Sequence, residues 1–123
     1  MFLWDSPRIE EPAARFENMV ALELWRAVFV WNDMGYGQFS LHFVKNKEKQ
    51  EVDFLIANGN RPLLLIEAKL SALEPSAALR KFQTALKVPA LQLVGQGQGY
   101  RIFTNRDQSI LVAPAYQWLS RLP

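Results

Sequence analysis

Residues 51–69 read EVDFLIANGNRPLLLIEAK, and this stretch decides the predicted fold. It holds two apolar segments on either side of Asn58-Gly59, a residue pair strongly favoured in two-residue hairpin turns. The second segment contains Leu63–Ile66, a continuous apolar run typical of a central strand that is covered on both faces. The sequence therefore predicts a hairpin whose second strand lies inside a sheet.

Three charged residues lie near the ends of these two strands. Glu67 and Lys69 are two positions apart, so they project from the same face of the strand. Asp53 lies in the preceding strand, and because neighbouring strands are about 4.8 Å apart, Asp53 and Glu67 can converge on one cation if the register permits. Two carboxylates without soft ligands suit Mg²⁺ or Mn²⁺. Lys69 can then orient or deprotonate a water and offset charge on a phosphate.

The tripeptide Glu67-Ala68-Lys69 also has a simpler interpretation, a solvated ion pair at a strand end. A carboxylate-x-Lys tripeptide arises by chance about once in a chain of this size, so it carries little weight alone. Its context favours the metal site, because it follows a buried strand and a second acid lies across the hairpin.

The rest of the chain alternates between helical and strand patterns. We expect one α/β (α+β) domain over residues 1–123, in which helices flank a mixed sheet in the order α-β-β-β-α-β with a short β-rich tail. The first helix is apolar nearly all round, which predicts that it is covered on most sides. The other predicted elements are a helix over Pro12–Trp31, a strand over Gln38–Val44, a charged turn over Lys45–Gln50, a strand over Glu51–Ile56, a helix from Pro75 in its first turn to Lys87, strands over Ala90–Val94, Tyr100–Phe103 and Ile110–Ala113, and a helical turn over Tyr116–Leu122.

Composition excludes several classes of site. The chain has no cysteine, which excludes disulfides, thiol catalysis and zinc sites with Cys ligands. His42 is its single histidine, so two-histidine metal sites are excluded as well. We interpret His42 as an ordinary strand residue. The sequence lacks G-x-x-x-x-G-K-S/T and is therefore not itself a P-loop ATPase. A net charge of +2 with a pI of about 9.1 allows a basic patch but is not that of a protein that coats DNA.

Targeting signals are not evident in the sequence. We find no basic segment followed by a long apolar run at the start, and no apolar stretch near the roughly 20 residues of a membrane span. We expect a cytoplasmic protein with no membrane partner. The pattern does not distinguish a dimer interface from a core, so a homo-oligomer stays compatible with the sequence.

The order of elements, with Asp53 followed by Glu67-Ala68-Lys69, resembles the PD-(D/E)xK nuclease superfamily, which has a restriction-endonuclease-like fold. RFEN at 15–18, EVDF at 51–54 and IEAKLS at 66–71 further resemble the C-terminal nuclease-like domain of a group of prokaryotic AAA-type ATPases, a domain usually labelled as of unknown function. The resemblance covers nearly the whole chain. One departure is that Val52, not proline, precedes Asp53, a variation that the narrower family shares.

The resemblance implies roles for further residues. An acid of the first helix assists metal binding, and Glu17 occupies the matching position, while Glu23 also shares an apolar helix face and remains an alternative. The backbone carbonyl of Ala68 would complete the coordination. Gln83 matches a substrate-contacting glutamine of some branches, although an exposed helix residue is the more ordinary interpretation. Independently of the resemblance, Arg80 and Lys81 on the second helix are placed to contact a DNA backbone.

Two functions follow as expectations. The first is a Mg²⁺- or Mn²⁺-dependent nuclease acting on nucleic acid, with DNA as the expected substrate. The second is a catalytically inactive nuclease-fold module that binds DNA or a protein partner. In either case the resemblance implies an ATPase domain as partner, in cis if the chain is a fragment and in trans if it is a stand-alone relative.

Overall fold

A computed structural model describes residues 12–45, 51–71, 74–95, 97 and 99–123. Its helices and strands alternate much as the sequence predicts. In chain order they are α1 (Pro12–Asp33), β1 (Phe39–Lys45), β2 (Glu51–Asn58), β3 (Arg61–Lys69), α2 (Ala77–Leu86), β4 (Ala90–Val94), β5 (Arg101–Asn105), β6 (Gln108–Pro114) and α3 (Ala115–Leu119).

The six strands form one mixed sheet in the order β1-β2-β3-β4-β6-β5. The β1–β2 and β2–β3 pairs are antiparallel, which confirms the predicted hairpin around Asn58-Gly59. The β3–β4 pair is parallel, because α2 crosses over between them, and β4–β6 is parallel as well. β3 therefore has a neighbour on each side, as its apolar run indicates.

Apolar side chains cover both faces of the sheet. The first cluster joins α1 and α3 to one face and includes Val20, Leu24, Phe54, Ile66 and Leu119. The second cluster joins α2 to the other face and includes Val52, Leu65, Leu79, Val88 and Ile110. Alternation along each strand divides the side chains between these two layers. The result is the predicted mixed sheet flanked by helices.

The prediction that α1 is covered on most sides is wrong. Its buried residues form one stripe, whereas Leu22, Trp25 and Phe29 are 52%, 61% and 61% exposed. The rings of Trp25 and Phe29 stack on each other with centroids 6.0 Å apart. The sheet covers only one side of the helix, and within the described part of the chain no further layer covers the outer side.

Three other predictions need correction or limits. Pro75 lies before α2 rather than in its first turn, because Ser76 is the N-cap, with φ −72° and ψ 158°. The predicted β-rich tail is part of the sheet, since β6 lies between β4 and β5. Residues 46–50 of the predicted charged turn lie outside the described residues.

None of the helices described is long and apolar enough to cross a membrane.

Candidate functional site

A bulge in β2 determines where Asp53 points. β1 has one residue, Phe43, where β2 has two, Asp53 and Phe54. The extra residue breaks the alternation of side chains, so that Val52 packs in the second cluster and Phe54 in the first. Bulges of this kind re-aim a side chain. Asp53 consequently lies on the α1 side of the sheet, where its carboxyl is hydrogen-bonded to Glu17.

The Asp53 carboxylate reaches the neighbouring strand at the end of the paired region. The β2–β3 register runs from the Phe54–Ile66 pair towards the hairpin. Next to that pair, Asp53 Oδ2 accepts a hydrogen bond of 2.8 Å from the backbone N–H of Ala68. Because this nitrogen is bonded to the carbonyl carbon of Glu67, the Asp53 oxygen lies within about 5 Å of the Glu67 Cα. The register therefore brings Asp53 to the Glu67-Ala68-Lys69 segment.

Glu67 lies on the opposite, α2 side of the sheet, two positions after Leu65 of the second cluster. It is only 3% exposed. Its Oε1 accepts a hydrogen bond of 2.5 Å from Ser76 Oγ, and its Oε2 lies 3.2 Å from Lys69 Nζ. The prediction that Glu67 and Lys69 share a face is confirmed. A solvated ion pair is the wrong description, because the glutamate side chain is buried while the lysine side chain is 45% exposed.

Asp53 has a raised pKa. Burial of the carboxyl is the largest cause, and the hydrogen bond with Glu17 and the charge of Glu17 act in the same direction. The Ala68 N–H and the charge of Lys69 act against them. The net effect raises the pKa of Asp53 from 3.8 to about 7. In its neutral form the Asp53 carboxyl can donate in its hydrogen bond with Glu17.

The structure decides between the two acids of α1. Glu17 contacts Asp53. Glu23 pairs instead with Arg26 one turn further along the helix, with an N–O distance of 2.5 Å and a side chain that is 34% exposed. Of these two predicted acids, Glu17 is therefore the one that faces Asp53.

The donor set is chemically suited to a hard divalent cation. Glu17, Asp53, Glu67 and the Ala68 carbonyl offer only oxygen atoms, and a cation beside Asp53 would compete with the proton that its raised pKa retains. Within the residues that the structure describes, no three His, Cys, Asp or Glu side chains are grouped so that they could hold a metal ion. The reason is that Glu17 and Asp53 lie on the α1 side and Glu67 turns to Ser76 on the α2 side. The acids thus form two halves that meet at the Ala68 peptide. The Asp53 half contains Asp53 and Glu17, and the Glu67 half contains Glu67 and its partners Ser76 and Lys69.

The predicted nucleic-acid contacts lie on α2. Gln83 is 4% exposed, and its amide nitrogen donates to the carbonyls of Val88 at 3.2 Å and Ser109 at 2.9 Å. The interpretation of Gln83 as an exposed residue is wrong, since it links α2 to β6. It lies two helical turns beyond Ser76, about 10 Å along the axis. Arg80 is half-buried and Lys81 is exposed on the same helix.

Sequence reasoning missed two polar residues beside Glu67. Ser76 Oγ donates to Glu67, and the Ser76 N–H donates to Gln92 Oε1 at 3.1 Å. Gln92 is fully buried and pairs in register with Glu67 across β3 and β4. Both had a signal. Gln92 is the polar residue of an otherwise apolar strand, and a serine directly before a helix is a preferred N-cap.

Comparisons with known proteins give a fold neighbour and a family. No curated protein matches the chain. The fold is similar to a chain in a Thermococcus gammatolerans structure, a refined half-complex from a tetradecameric assembly of McrB AAA+ hexamers with bound McrC, with a TM-score of 0.62 and 17% identity. The match covers 83% of this chain and 27% of that one, so this chain spans about a quarter of its neighbour's length. A family model described as Domain of unknown function (DUF4143) matches residues 13–118, and the chain belongs to that family.

Proposed function

We propose that this domain is a metal-dependent nuclease of the PD-(D/E)xK type that hydrolyses phosphodiester bonds in nucleic acid, with DNA as the expected substrate. The observation that carries the proposal is the hydrogen bond from Ala68 N–H to Asp53, which joins the acid of β2 to the Glu67-Ala68-Lys69 segment. Glu17 faces the same carboxylate from α1. Acids from three elements and a lysine thereby surround one peptide group.

In this proposal the acids bind the metal ion, and Lys69 compensates negative charge on the phosphate. Glu17, Asp53, Glu67 and the Ala68 carbonyl would hold Mg²⁺ or Mn²⁺, which supplies Lewis acidity and an activated water when bound. Lys69 keeps its ammonium partly in solvent beside Glu67. From there it orients water and offsets the negative charge that develops on a phosphate. Ser76 keeps Glu67 on the α2 side.

The fold neighbour supports a proposal about the partner of the domain. The fold neighbour is a chain in an assembly of McrB AAA+ hexamers with bound McrC, and the match covers 27% of that chain. We propose an ATPase domain as partner, in cis or in trans. Arg80 and Lys81 would contact phosphates, and Gln83 would support them by fixing α2 to β6.

A second candidate is a module that binds without cleaving. Two observations favour it: the acids are not grouped for a metal ion in the described residues, and α1 exposes Leu22, Trp25 and Phe29 on one face. Apolar patches of this kind mark contact surfaces for other proteins. The domain would then serve as a docking unit for an ATPase.

Cleavage assays separate the two candidates. The purified protein is incubated with supercoiled DNA, linear DNA and RNA in Mg²⁺, in Mn²⁺ and in chelator. We expect metal-dependent cleavage, and we expect Asp53→Asn to reduce it by about 10³-fold, because a metal ion contributes several kcal/mol to the transition state.

The matched control is Glu23→Gln, which removes an acid of α1 that lies outside the site and pairs with Arg26. It should cleave like the wild type. Absence of cleavage in every metal, with DNA or partner binding unchanged in Asp53→Asn, would overturn the nuclease and support the binding module.

A further inference from the structure

The outer side of α1 carries an exposed apolar stripe. Leu22, Trp25 and Phe29 follow one another at spacings of three and four residues, so they lie on one side of the helix. Each is more than half exposed, and the rings of Trp25 and Phe29 stack with an angle of 17° between their planes. Exposed apolar surface of this kind is unfavourable in water and is typical of a contact surface for another protein.

A basic and an acidic side chain lie on the same side of the helix, beyond the two ends of the stripe. Arg15 and Asp33 are both exposed, and neither forms an ion pair with another residue that the structure describes. They are eighteen residues apart, which is five turns of about 3.6 residues, so they project in the same direction about 27 Å apart. Leu22 and Phe29 deviate from that direction by only about 20° and 40°. These four residues, with Trp25 beside them, form the outer face of α1.

The charges of the outer face are arranged for an antiparallel copy of the same helix. In two helices related by a two-fold axis, positions at equal distances on either side of the axis face each other. Arg15 and Asp33 are equally far from Leu24, so with the axis at that level each Arg15 faces the partner's Asp33. The apolar stripe then lies between two ion pairs, as an apolar centre with a charged rim. This symmetry favours a second copy over an unrelated protein, which would need no opposite charges at equivalent positions.

We propose that the outer face of α1 packs antiparallel against the same face of a second copy and forms a two-fold symmetric dimer. Glu17 projects about 160° away from Arg15, towards Asp53, so the candidate site lies outside this interface. The dimer does not depend on nuclease activity. One helix packed on one helix buries less than about 1,200 Å², the low end of specific interfaces, so we expect a dissociation constant on the order of 10 µM.

Charge reversal tests the antiparallel arrangement, by sedimentation equilibrium of the whole chain from about 1 µM to about 1 mM. Arg15→Asp and Asp33→Arg each place like charges opposite one another at two symmetric positions, so each should weaken the dimer by about 10-fold or more. Combining them restores opposite charges, and the double variant should dimerise to within about threefold of wild type. Both substitutions suit the helix dipole, with an acid near the N-terminus and a base near the C-terminus, so α1 itself is preserved.

A charge in the apolar stripe should have a larger effect. Trp25→Glu places two carboxylates at the centre of the interface, and we expect it to weaken the dimer by about 100-fold or more, because central aromatic side chains carry most of the binding energy. The matched control is Tyr116→Glu, since Tyr116 is 62% exposed on α3, outside the outer face. Arg121→Asp is the control for charge reversal, at an exposed arginine after α3. Both controls should dimerise like wild type, and the thermal midpoints of all variants should stay within a few °C of it.

Rescue of the dimer in the double variant, together with its loss in Trp25→Glu, would establish the antiparallel contact. Wild-type protein that is monomeric up to about 1 mM overturns the dimer. A wild-type dimer that persists in Trp25→Glu uses another surface and overturns the proposed interface as well. No weakening in the single reversals, or no recovery in the double variant, also overturns it, because the two charges then do not face each other. Cleavage assays test the nuclease separately, so failure of the dimer and failure of the nuclease are distinct results.

Discussion

Asp53 and Glu67 both lie beside the Ala68 peptide, and their surroundings are electrostatically opposite. Glu67 is 3% exposed, yet a hydroxyl and an ammonium compensate its charge. Asp53 accepts one hydrogen bond, from Ala68 N–H, and otherwise faces burial and a second acid, Glu17. The pKa of Asp53 rises to about 7 as a result.

This difference shows which of the two carboxylates is compensated by groups of the chain itself. The Glu67 half has its positive partners within the chain. The Asp53 half faces a second acid, and the charge of Lys69 does not prevent the pKa of Asp53 from rising, so loss of the Asp53 proton costs stability. Strongly perturbed carboxylates of this kind concentrate at functional sites. We infer that the Asp53 half responds to a cation and that the Glu67 half provides a fixed frame.

Lys69 connects the two halves, and among the variants that leave all three acids in place its removal is expected to have the largest effect on cleavage. It pairs with Glu67 and its charge also lowers the pKa of Asp53. We expect Lys69→Met to reduce cleavage by about 10²–10³-fold, the typical loss of a group that stabilises transition-state charge. Mn²⁺ affinity should change much less, because lysine is not a ligand. Single-turnover cleavage and Mn²⁺ titration measure the two effects separately.

The control for this variant is Lys87→Met, at the C-cap of α2, which should cleave normally. If Lys69→Met loses Mn²⁺ affinity in proportion to cleavage, Lys69 acts by holding Glu67 rather than by compensating charge on the substrate.

Local patterns in the sequence predicted most elements of the fold. The Asn58-Gly59 turn, the apolar run of β3 and the bounds of β4 all depend on neighbouring residues, and each is confirmed. The position of β6 between β4 and β5 depends instead on pairing between distant strands. The exposed outer face of α1 likewise depends on how many layers pack against the helix. No periodicity encodes either feature.

In the candidate site, too, local sequence patterns predicted some features, whereas others depend on contacts between distant residues. The spacing of Glu67 and Lys69 fixes their common face, so sequence was sufficient for that pair. The direction of Asp53 depends on a bulge that only the pairing with β1 reveals. The helical pattern around Gln83 does not predict that its side-chain amide donates to two carbonyls, one in the turn before β4 and one in β6.

The pH dependence of stability tests the Asp53 half. Its pKa is raised in the folded state, to about 7 from 3.8, so its contribution to stability is fully present below about pH 4 and is lost as pH rises through 7. Asp53→Asn resembles the neutral acid, because its amide can still accept from Ala68 and donate to Glu17. We expect the variant to exceed wild type by a few °C in thermal midpoint at pH 8.5 in chelator, and by less at pH 5.

Saturating Mg²⁺ should raise the midpoint of wild type and leave that of Asp53→Asn unchanged, because only the native site binds the ion. Glu23→Gln is again the control, and its difference from wild type should not vary over this pH range. A difference between Asp53→Asn and wild type that is equal at pH 5 and pH 8.5 would show that Asp53 titrates normally.

Glu17→Gln should have the smallest effect, because it alters the partner of Asp53 rather than Asp53 itself. Glutamine removes the like charge and offers an N–H to the ionised carboxylate, so the pKa of Asp53 should fall towards its ordinary value. Metal-free stability above pH 7 should then improve, while Mn²⁺ affinity falls by less than about 10-fold. Thermal midpoints from pH 5 to 9 and Mn²⁺ titrations measure both. A gain in stability together with a loss of affinity would mean that the acid pair is maintained for the cation, whereas no change in either would place the α1 acid outside the site.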